Sequence, residues 1–341
     1  MWRRVLGLVV CGLVLYGVAP AVLEVLDAWP QVVDIELYWF AAMILAQVLS
    51  WASMWLLQRL AVDARSWWPV VTSQLASGAL GRVVPGGAAA AGALQYRMLV
   101  QAGIPSSLAG IGIGVASIVL LAILAALPVL AIPAVLLGVA VPERLWQAGL
   151  LGIAVFVALL AISATLLASD RAVAWVGRTW IRIGTRLRPR KPPPADLPER
   201  WRDQRDLVRT ALGRRWWEAV TGGAGRWLFD WLTLVTALAA VGQHPRPTLI
   251  LLSFCAAQLL AQVPITPGGL GVVEAGLTGT LVLIGVPAGA AAVATLAYRL
   301  VSYWLALPAG GVAYLVHRRH IRRGHVSVPR LSAPHSPGQG G

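Results

Sequence analysis

Several residue types are scarce in this chain of 341 residues, and each shortage excludes a class of protein. Charged residues make up 12%, about half the share of an average soluble chain, which excludes a soluble globular fold. The two cysteines, Cys11 and Cys255, both lie in apolar runs. They therefore cannot supply a disulfide framework or a metal cluster. Asparagine is absent altogether, so the chain has no N-glycosylation sequon.

What the chain has instead is long apolar segments, with 58% hydrophobic residues. A spanning helix needs about 20 mainly apolar residues. Six stretches meet that length, namely residues 5–23, 37–58, 106–127, 146–168, 222–242 and 288–316, the last with a kink expected at Pro308. Two further stretches, 69–103 and 247–286, are broken by proline and glycine and suit re-entrant helix pairs, although two full crossings would also fit each. The predicted fold is an all-α polytopic membrane protein with about six spanning helices and two re-entrant pairs.

The net charge of +14 is concentrated in two segments. Residues 170–215 hold 13 basic and 5 acidic residues, and residues 318–330 add five arginines. The positive-inside rule places both segments, and both termini, in the cytoplasm of a multi-pass plasma (inner) membrane protein. We expect one transmembrane domain over 1–317, interrupted by a basic loop at 169–216, and a disordered tail at 318–341. Because the loop segments 171–187 and 198–217 would form helices with arginines on one face and tryptophan on the other, we expect the loop and the tail to bind anionic inner-leaflet lipids rather than nucleic acid.

The chain contains an internal repeat. Pro85-Gly86-Gly87 and Pro267-Gly268-Gly269 are separated by 182 positions, and so are Gly103-Ile104-Pro105 and Gly285-Val286-Pro287. A coincidence of composition is the alternative, because the chain has 35 glycines and 22 prolines. Two motifs with one offset favour duplication.

The charge rule orients the two halves of this repeat, about 37–127 and 222–316, in opposite directions. Transporters built from inverted repeats bind their substrate near the bilayer midplane, where the broken helices meet. The repeat therefore predicts a site between the two Pro-Gly-Gly segments.

Three segments of the sequence resemble a known family. They are Val84-Pro85-Gly86-Gly87, then Pro264 to Glu274 (P-I-T-P-G-G-L-G-V-V-E), then Tyr298-Arg299-Leu300. They resemble the lysylphosphatidylglycerol synthase transmembrane, or flippase-like, family of UPF0104-type membrane proteins, over about residues 5–320. The resemblance implies movement of a lipid with a charged or sugar-bearing head group between leaflets. Some members also carry an aminoacyl-transferase domain; since only a short basic segment follows Arg323, we do not expect this chain to make a lysyl lipid.

We predict a substrate-binding site formed by charged side chains and by the glycine-rich breaks. Arg82 is the preferred phosphate ligand, because a guanidinium binds phosphate in a bidentate fork. Glu274 has several candidate roles: pairing with Arg299 or Arg82, binding a cationic head group, carrying a coupling proton, or complementing a helix dipole. The full predicted set is Arg82, Pro85, Gly86, Gly87, Arg97, Pro267, Gly268, Gly269, Gly271, Glu274 and Arg299.

Simpler roles remain open for several of these residues. The glycines can expose backbone N–H groups to a phosphate, or can only allow tight helix crossings. Arg97 can be an interfacial anchor. Arg226 and Asp230 are two further charged residues within the apolar segments, and such residues are functional candidates; because they are four residues apart, they can also simply pair with each other.

The favoured function is a flippase-type transporter of an anionic, aminoacylated or polyprenyl-linked lipid. One alternative is a membrane subunit or accessory of a lipid-linked transferase, and another is a non-transporting scaffold for an envelope assembly. We expect no catalytic site, cofactor or metal, and the sequence leaves a homo-oligomer open.

Overall fold

The computed structural model describes residues 35–84, 87–169, 215–262 and 267–323, together with a few residues between 171 and 182. The described residues are helical, with no strand among them, as the sequence predicts. The helices are α1 Leu37–Ala61, α2 Trp68–Val83, α3 Gly87–Gln101, α4 Ser106–Ala126, α5 Ile132–Leu136, α6 Glu143–Ala168, α7 Trp216–Ala240, α8 Pro247–Ala261, α9 Val272–Leu283, α10 Ala288–Arg299 and α11 Ala306–Arg322. The predicted first helix at 5–23, most of the basic loop and the end of the tail lie outside the described residues.

Three of the described segments are long and apolar enough to cross a membrane: Leu37–Ala61, Ser106–Leu136 and Ala288–Arg322. Their surfaces carry large exposed apolar side chains, such as Leu45 at 61% and Ile118 at 51% exposure. Exposing so many apolar side chains is unfavourable in water and favourable in contact with lipid. The other predicted spans, 146–168 and 222–242, are helices α6 and α7.

The two halves of the predicted repeat match helix for helix. Helices α1 to α4 are a long helix, a broken helix pair and a second long helix. The same order recurs from α7 to α11, where α10 and α11 together form the second long helix. Helices α1 and α7 pack along their length in opposite directions: Gly222 lies against Leu57, whereas Arg226, further along α7, bonds to Ser50, further back along α1. The halves therefore run antiparallel, as the charge pattern predicts.

Both broken stretches fold back on themselves as helical hairpins. In the first hairpin, α2 and α3 are in contact where Gly87 lies against the Gly81 carbonyl. In the second, Ser253 Oγ of α8 donates to the Thr280 carbonyl of α9 at 3.4 Å. Helix α2 rises about 21 Å from Trp68 to Arg82 at 1.5 Å per residue, which exceeds half of a 30 Å hydrocarbon core. The first hairpin is therefore long enough to place its tip deep in a bilayer.

Helix α2 packs most closely on α11. Gly310 of α11 lies against the Leu75 carbonyl and Ala79, and Thr72 is hydrogen-bonded to His317 at 2.9 Å. Small residues allow such close backbone approach between apolar helices. The N-terminal end of α2 therefore lies beside the C-terminal end of α11.

The last predicted span is irregular four to eight residues before the position expected. The kink was predicted at Pro308, but the irregular segment is a π-helical turn at Leu300–Trp304, closed by a bond from the Leu305 N–H to the Leu300 carbonyl. A proline ring clashes with the carbonyl four residues before it, which here is that of Trp304. Helix α11 then continues to Arg322, so the first residues of the predicted disordered tail at 318–341 are helical.

Candidate functional site

The ends of the two hairpins touch each other at the centre of the molecule. Tyr303 Oη donates to the backbone carbonyl of Arg82 at 2.9 Å. Gly268 has a φ of 60°, and a Cβ built on it would lie 2.8 Å from that same carbonyl oxygen. The Pro267–Gly269 turn thus lies against the end of α2, as the repeat predicts. Pro85 and Gly86, which complete the first Pro-Gly-Gly segment, lie outside the described residues.

The side chain of Arg82 is fixed by backbone carbonyls. Its Nη1 donates to the Gly78 carbonyl at 2.8 Å and its Nη2 to the Ser302 carbonyl at 3.4 Å. No carboxylate among the described residues forms a salt bridge with it. A guanidinium has five N–H donors, so Arg82 keeps donors free for an anion.

Arg82 lines a cavity of about 330 Å³ between the two halves of the repeat, which we call the central cavity. Its wall includes a second cation, Arg226 of α7, and three tryptophans, Trp51, Trp55 and Trp227. The whole lining is Trp51, Met54, Trp55, Gln74, Leu75, Gly78, Arg82, Ser117, Leu120, Leu121, Arg226, Trp227, Gln262 and Ala306. The volume is at the low end of the range for ligand pockets, which suits a head group better than a whole lipid.

Arg226 is paired, as one of the two interpretations of its spacing predicted, but the pair belongs to a larger network. Its guanidinium lies 2.9 Å from Asp230 and also donates to Ser50 Oγ at 2.6 Å. The Asp230 carboxylate is 2% exposed and accepts further bonds from Gln258 at 3.2 Å and Tyr298 at 3.3 Å. These neutral donors would keep Asp230 hydrogen-bonded if Arg226 turned toward a ligand.

The sequence prediction did not include Arg226 in the site, although it is a wall of the central cavity. The i, i+4 spacing of Arg226 and Asp230 indicated only a local pair. A sequence signal for Arg226 was Ser50, a polar residue within the apolar segment that became α1. In the structure the Ser50 hydroxyl donates to the Arg226 carbonyl at 2.7 Å.

Glu274 and Arg299 form a buried pair on the other side of the hairpin contact. Arg299 Nε lies 2.6 Å from Glu274 Oε1, and each residue is 9% exposed. Arg299 also donates to the Gly268 carbonyl at 3.4 Å and lies 4.5 Å from the centre of the Tyr303 ring. Glu274 Oε2 has no partner among the described residues. Two of the roles predicted for Glu274 agree with the geometry, because it pairs with Arg299 and lies in the first turn of α9, where a carboxylate complements the helix dipole.

The predicted glycines differ in their surroundings. Gly87 and Gly268 lie against protein backbone, so both allow the close approach of two segments of the chain. A Cβ on Gly269, whose φ is 71°, would lie 2.7 Å from Val273, whereas Gly271, with a φ of 78°, has open space around it.

Arg97 is the predicted site residue that the structure does not bring to this cluster. It lies on α3, about 15 Å along the helix axis from Gly87 at the hairpin tip, and it lines a different cavity beside the end of α11. The predicted set is therefore divided between the centre of the molecule and one end.

Comparison with known proteins identifies the family. The family described as "Lysylphosphatidylglycerol synthase TM region" matches residues 4–310. A "UPF0104 membrane protein" of Methanothermobacter thermautotrophicus is 29% identical over 86 residues, which are 25% of this chain and 26% of that protein. The match thus spans about a quarter of the curated relative, and no solved structure matches. Because the family match covers most of the chain, this protein is a membrane protein of the lysylphosphatidylglycerol synthase transmembrane family.

Proposed function

We propose that the protein moves an anionic lipid between leaflets, with the head group passing through the central cavity. The observation that carries the proposal is the pair of cations, Arg82 and Arg226, on the wall of one cavity between the antiparallel halves. Burying a cation in the bilayer core costs about 2.5 to 3.5 kcal/mol on insertion scales, and such residues mark substrate pathways. Asp230 balances Arg226, whereas Arg82 has no carboxylate partner among the described residues, and an anionic ligand best explains a cavity that holds both.

The lipid chains stay outside the cavity in this proposal. The cavity is too small for a diacyl or polyprenyl lipid, whereas the outer surfaces of α1 and α4 expose large apolar residues. A head group with a phosphate would replace part of its hydration shell with the free N–H donors of Arg82 and with Arg226. Anionic, aminoacylated and polyprenyl-linked phosphate lipids all carry such a group.

The two hairpins would then act as the moving parts. Each belongs to one half of an inverted repeat, and alternating access in such proteins comes from one repeat rocking against the other. In this proposal the first hairpin enters from the cytoplasmic side and the second from the outside, and their contact at Gly268 and the Arg82 carbonyl closes the path. The lipid is moved without chemical change.

Reconstitution into liposomes tests the proposal. We expect the wild-type protein to accelerate leaflet exchange of a fluorescent lipid with an anionic head group, measured by reduction of the dye in the outer leaflet. Arg82→Gln and Arg226→Gln should each slow exchange about tenfold or more, because each removes charge-assisted bonds to the phosphate. Arg246→Gln is the control, since Arg246 is exposed in the loop before α8. Equal exchange by wild type and Arg82→Gln across anionic, aminoacylated and polyprenyl lipids would overturn the proposal, and recovery of a chemically altered lipid would favour the transferase alternative.

A further inference from the structure

A second basic cavity lies between α3 and the last turns of α11, and we call it the α3–α11 cavity. Its volume is about 220 Å³, and three arginines line it: Arg97 from α3, and Arg318 and Arg322 from α11. None of the three forms a salt bridge with a carboxylate in the part of the chain that the structure describes. The proposed transport path uses none of them.

The cations of this cavity come from two separate helices. Arg318 and Arg322 are four residues apart and so lie on one face of α11, where their like charges repel each other. Helix α3 adds a third positive charge to the same space through Arg97. An anion held between the guanidinium groups would relieve the repulsion among these three charges.

Beneath these exposed arginines, the lining includes a buried histidine. His317 is 2% exposed and lines the cavity together with Met98, which is 1% exposed. The ring is held by stacking on Trp68 at a centroid distance of 4.6 Å and by the hydrogen bond to Thr72.

The hydrogen bonds of Thr72 decide which nitrogen of His317 is free. Because Thr72 Oγ1 donates its one proton to the Trp68 carbonyl at 2.7 Å, it accepts from Nδ1 of the histidine at 2.9 Å. Nε2 then remains, buried and without a hydrogen-bond partner among the described residues. A buried polar atom without a partner is costly, and in the neutral ring this nitrogen is a hydrogen-bond acceptor.

We propose that the α3–α11 cavity is a binding site for a phosphate group with more than one negative charge, a phosphomonoester or a diphosphate. The three arginines supply more positive charge than the single charge of a phosphodiester can balance. The chemistry is common to the head group of a membrane lipid and to a free diphosphate. Because Arg82 and Arg226 do not line this cavity, the site is independent of the proposed transport function.

Binding to the purified full-length protein in nanodiscs tests this site. The discs contain phosphatidylcholine with a small fraction of phosphatidic acid, a phosphomonoester, or of phosphatidylglycerol, a phosphodiester, and native mass spectrometry counts the lipids retained. Inorganic diphosphate is titrated separately. We expect tighter retention of phosphatidic acid than of phosphatidylglycerol if the ligand is a lipid, and saturable binding of diphosphate if the source is soluble; either result supports the phosphate site.

Variants separate this site from general surface charge. Arg97→Gln and Arg322→Gln should each weaken binding of the preferred phosphate compound about tenfold or more, because each removes charge-assisted bonds. Arg319→Gln is the matched control, since Arg319 lies in the same last turn of α11 but does not line the cavity. Equal losses from Arg97→Gln and Arg319→Gln, or no preference for the more highly charged phosphate, would overturn the proposal.

Discussion

The contact between the hairpin tips predicts that Gly268→Ala will damage the protein far more than Gly271→Ala. Both glycines have positive φ values, of 60° and 78°. A Cβ on Gly268 would lie 2.6 Å from a Tyr303 ring carbon and 2.8 Å from the Arg82 carbonyl oxygen, whereas a Cβ on Gly271 would meet no atom within 4 Å. The two variants therefore share a conformational penalty and differ in the steric one.

The expected costs follow from these contacts. An alanine with a positive φ costs about 1 to 2 kcal/mol at either position. At Gly268 the crowding adds about 1 to 3 kcal/mol, and separating the tips also removes the Tyr303–Arg82 hydrogen bond, about 1 kcal/mol. We therefore expect Gly268→Ala to lower the free energy of unfolding by about 2 to 4 kcal/mol more than Gly271→Ala does.

Unfolding in mixed micelles with increasing dodecyl sulfate measures this difference, and lipid exchange in liposomes measures its effect on function. If the tips close the transport path, Gly268→Ala should also raise the basal leak of anionic lipid. Equal destabilisation by the two variants would refute the contact, because backbone strain alone would then account for both.

Two further predictions concern close packing and the buried pair. Gly310→Ala should destabilise the protein by about 1 to 3 kcal/mol because its Cβ would collide with α2; Gly311→Ala, with open space around it, is the control, and equal effects in dodecyl sulfate unfolding would contradict the close crossing of α2 and α11. Glu274→Gln or Arg299→Gln should each cost about 3 to 5 kcal/mol. In the same assay the double variant should cost less than the sum by about 1 to 3 kcal/mol, and strict additivity would show that the two side chains do not interact.

Much of the fold could be predicted because it depends on composition along the chain. Apolar length located the helices, and the breaks at Pro-Gly-Gly located the hairpins. The antiparallel halves followed from where the arginines are concentrated, and the packing of Ser50 against Arg226 agrees with that orientation. The π-helical turn at Leu300–Trp304 could not be placed, because the effect of Pro308 falls on the preceding turn and depends on local packing.

The candidate site was predicted less completely, because it depends on contacts between distant segments. From the sequence, the repeat was the only indication that Arg82 and Gly268 lie close together. The sequence could not show that Arg226, from the middle of another helix, shares a cavity with Arg82. The sequence also could not show that Arg97, although near Arg82 in the chain, lies far from it because α3 runs away from the hairpin tip.

The pairing of charges within the described helices explains why both cavities are expected to bind anions. Asp230 and Glu274, the two buried carboxylates, are each paired with an arginine. Arg82 and Arg97 have no such carboxylate among the described residues, and each lines a cavity. An arginine stays protonated, and where the chain supplies no carboxylate, an anion from another molecule can balance its charge. An anionic ligand at each cavity supplies that balance, and the Arg82 and Arg97 variants test the two ligands separately.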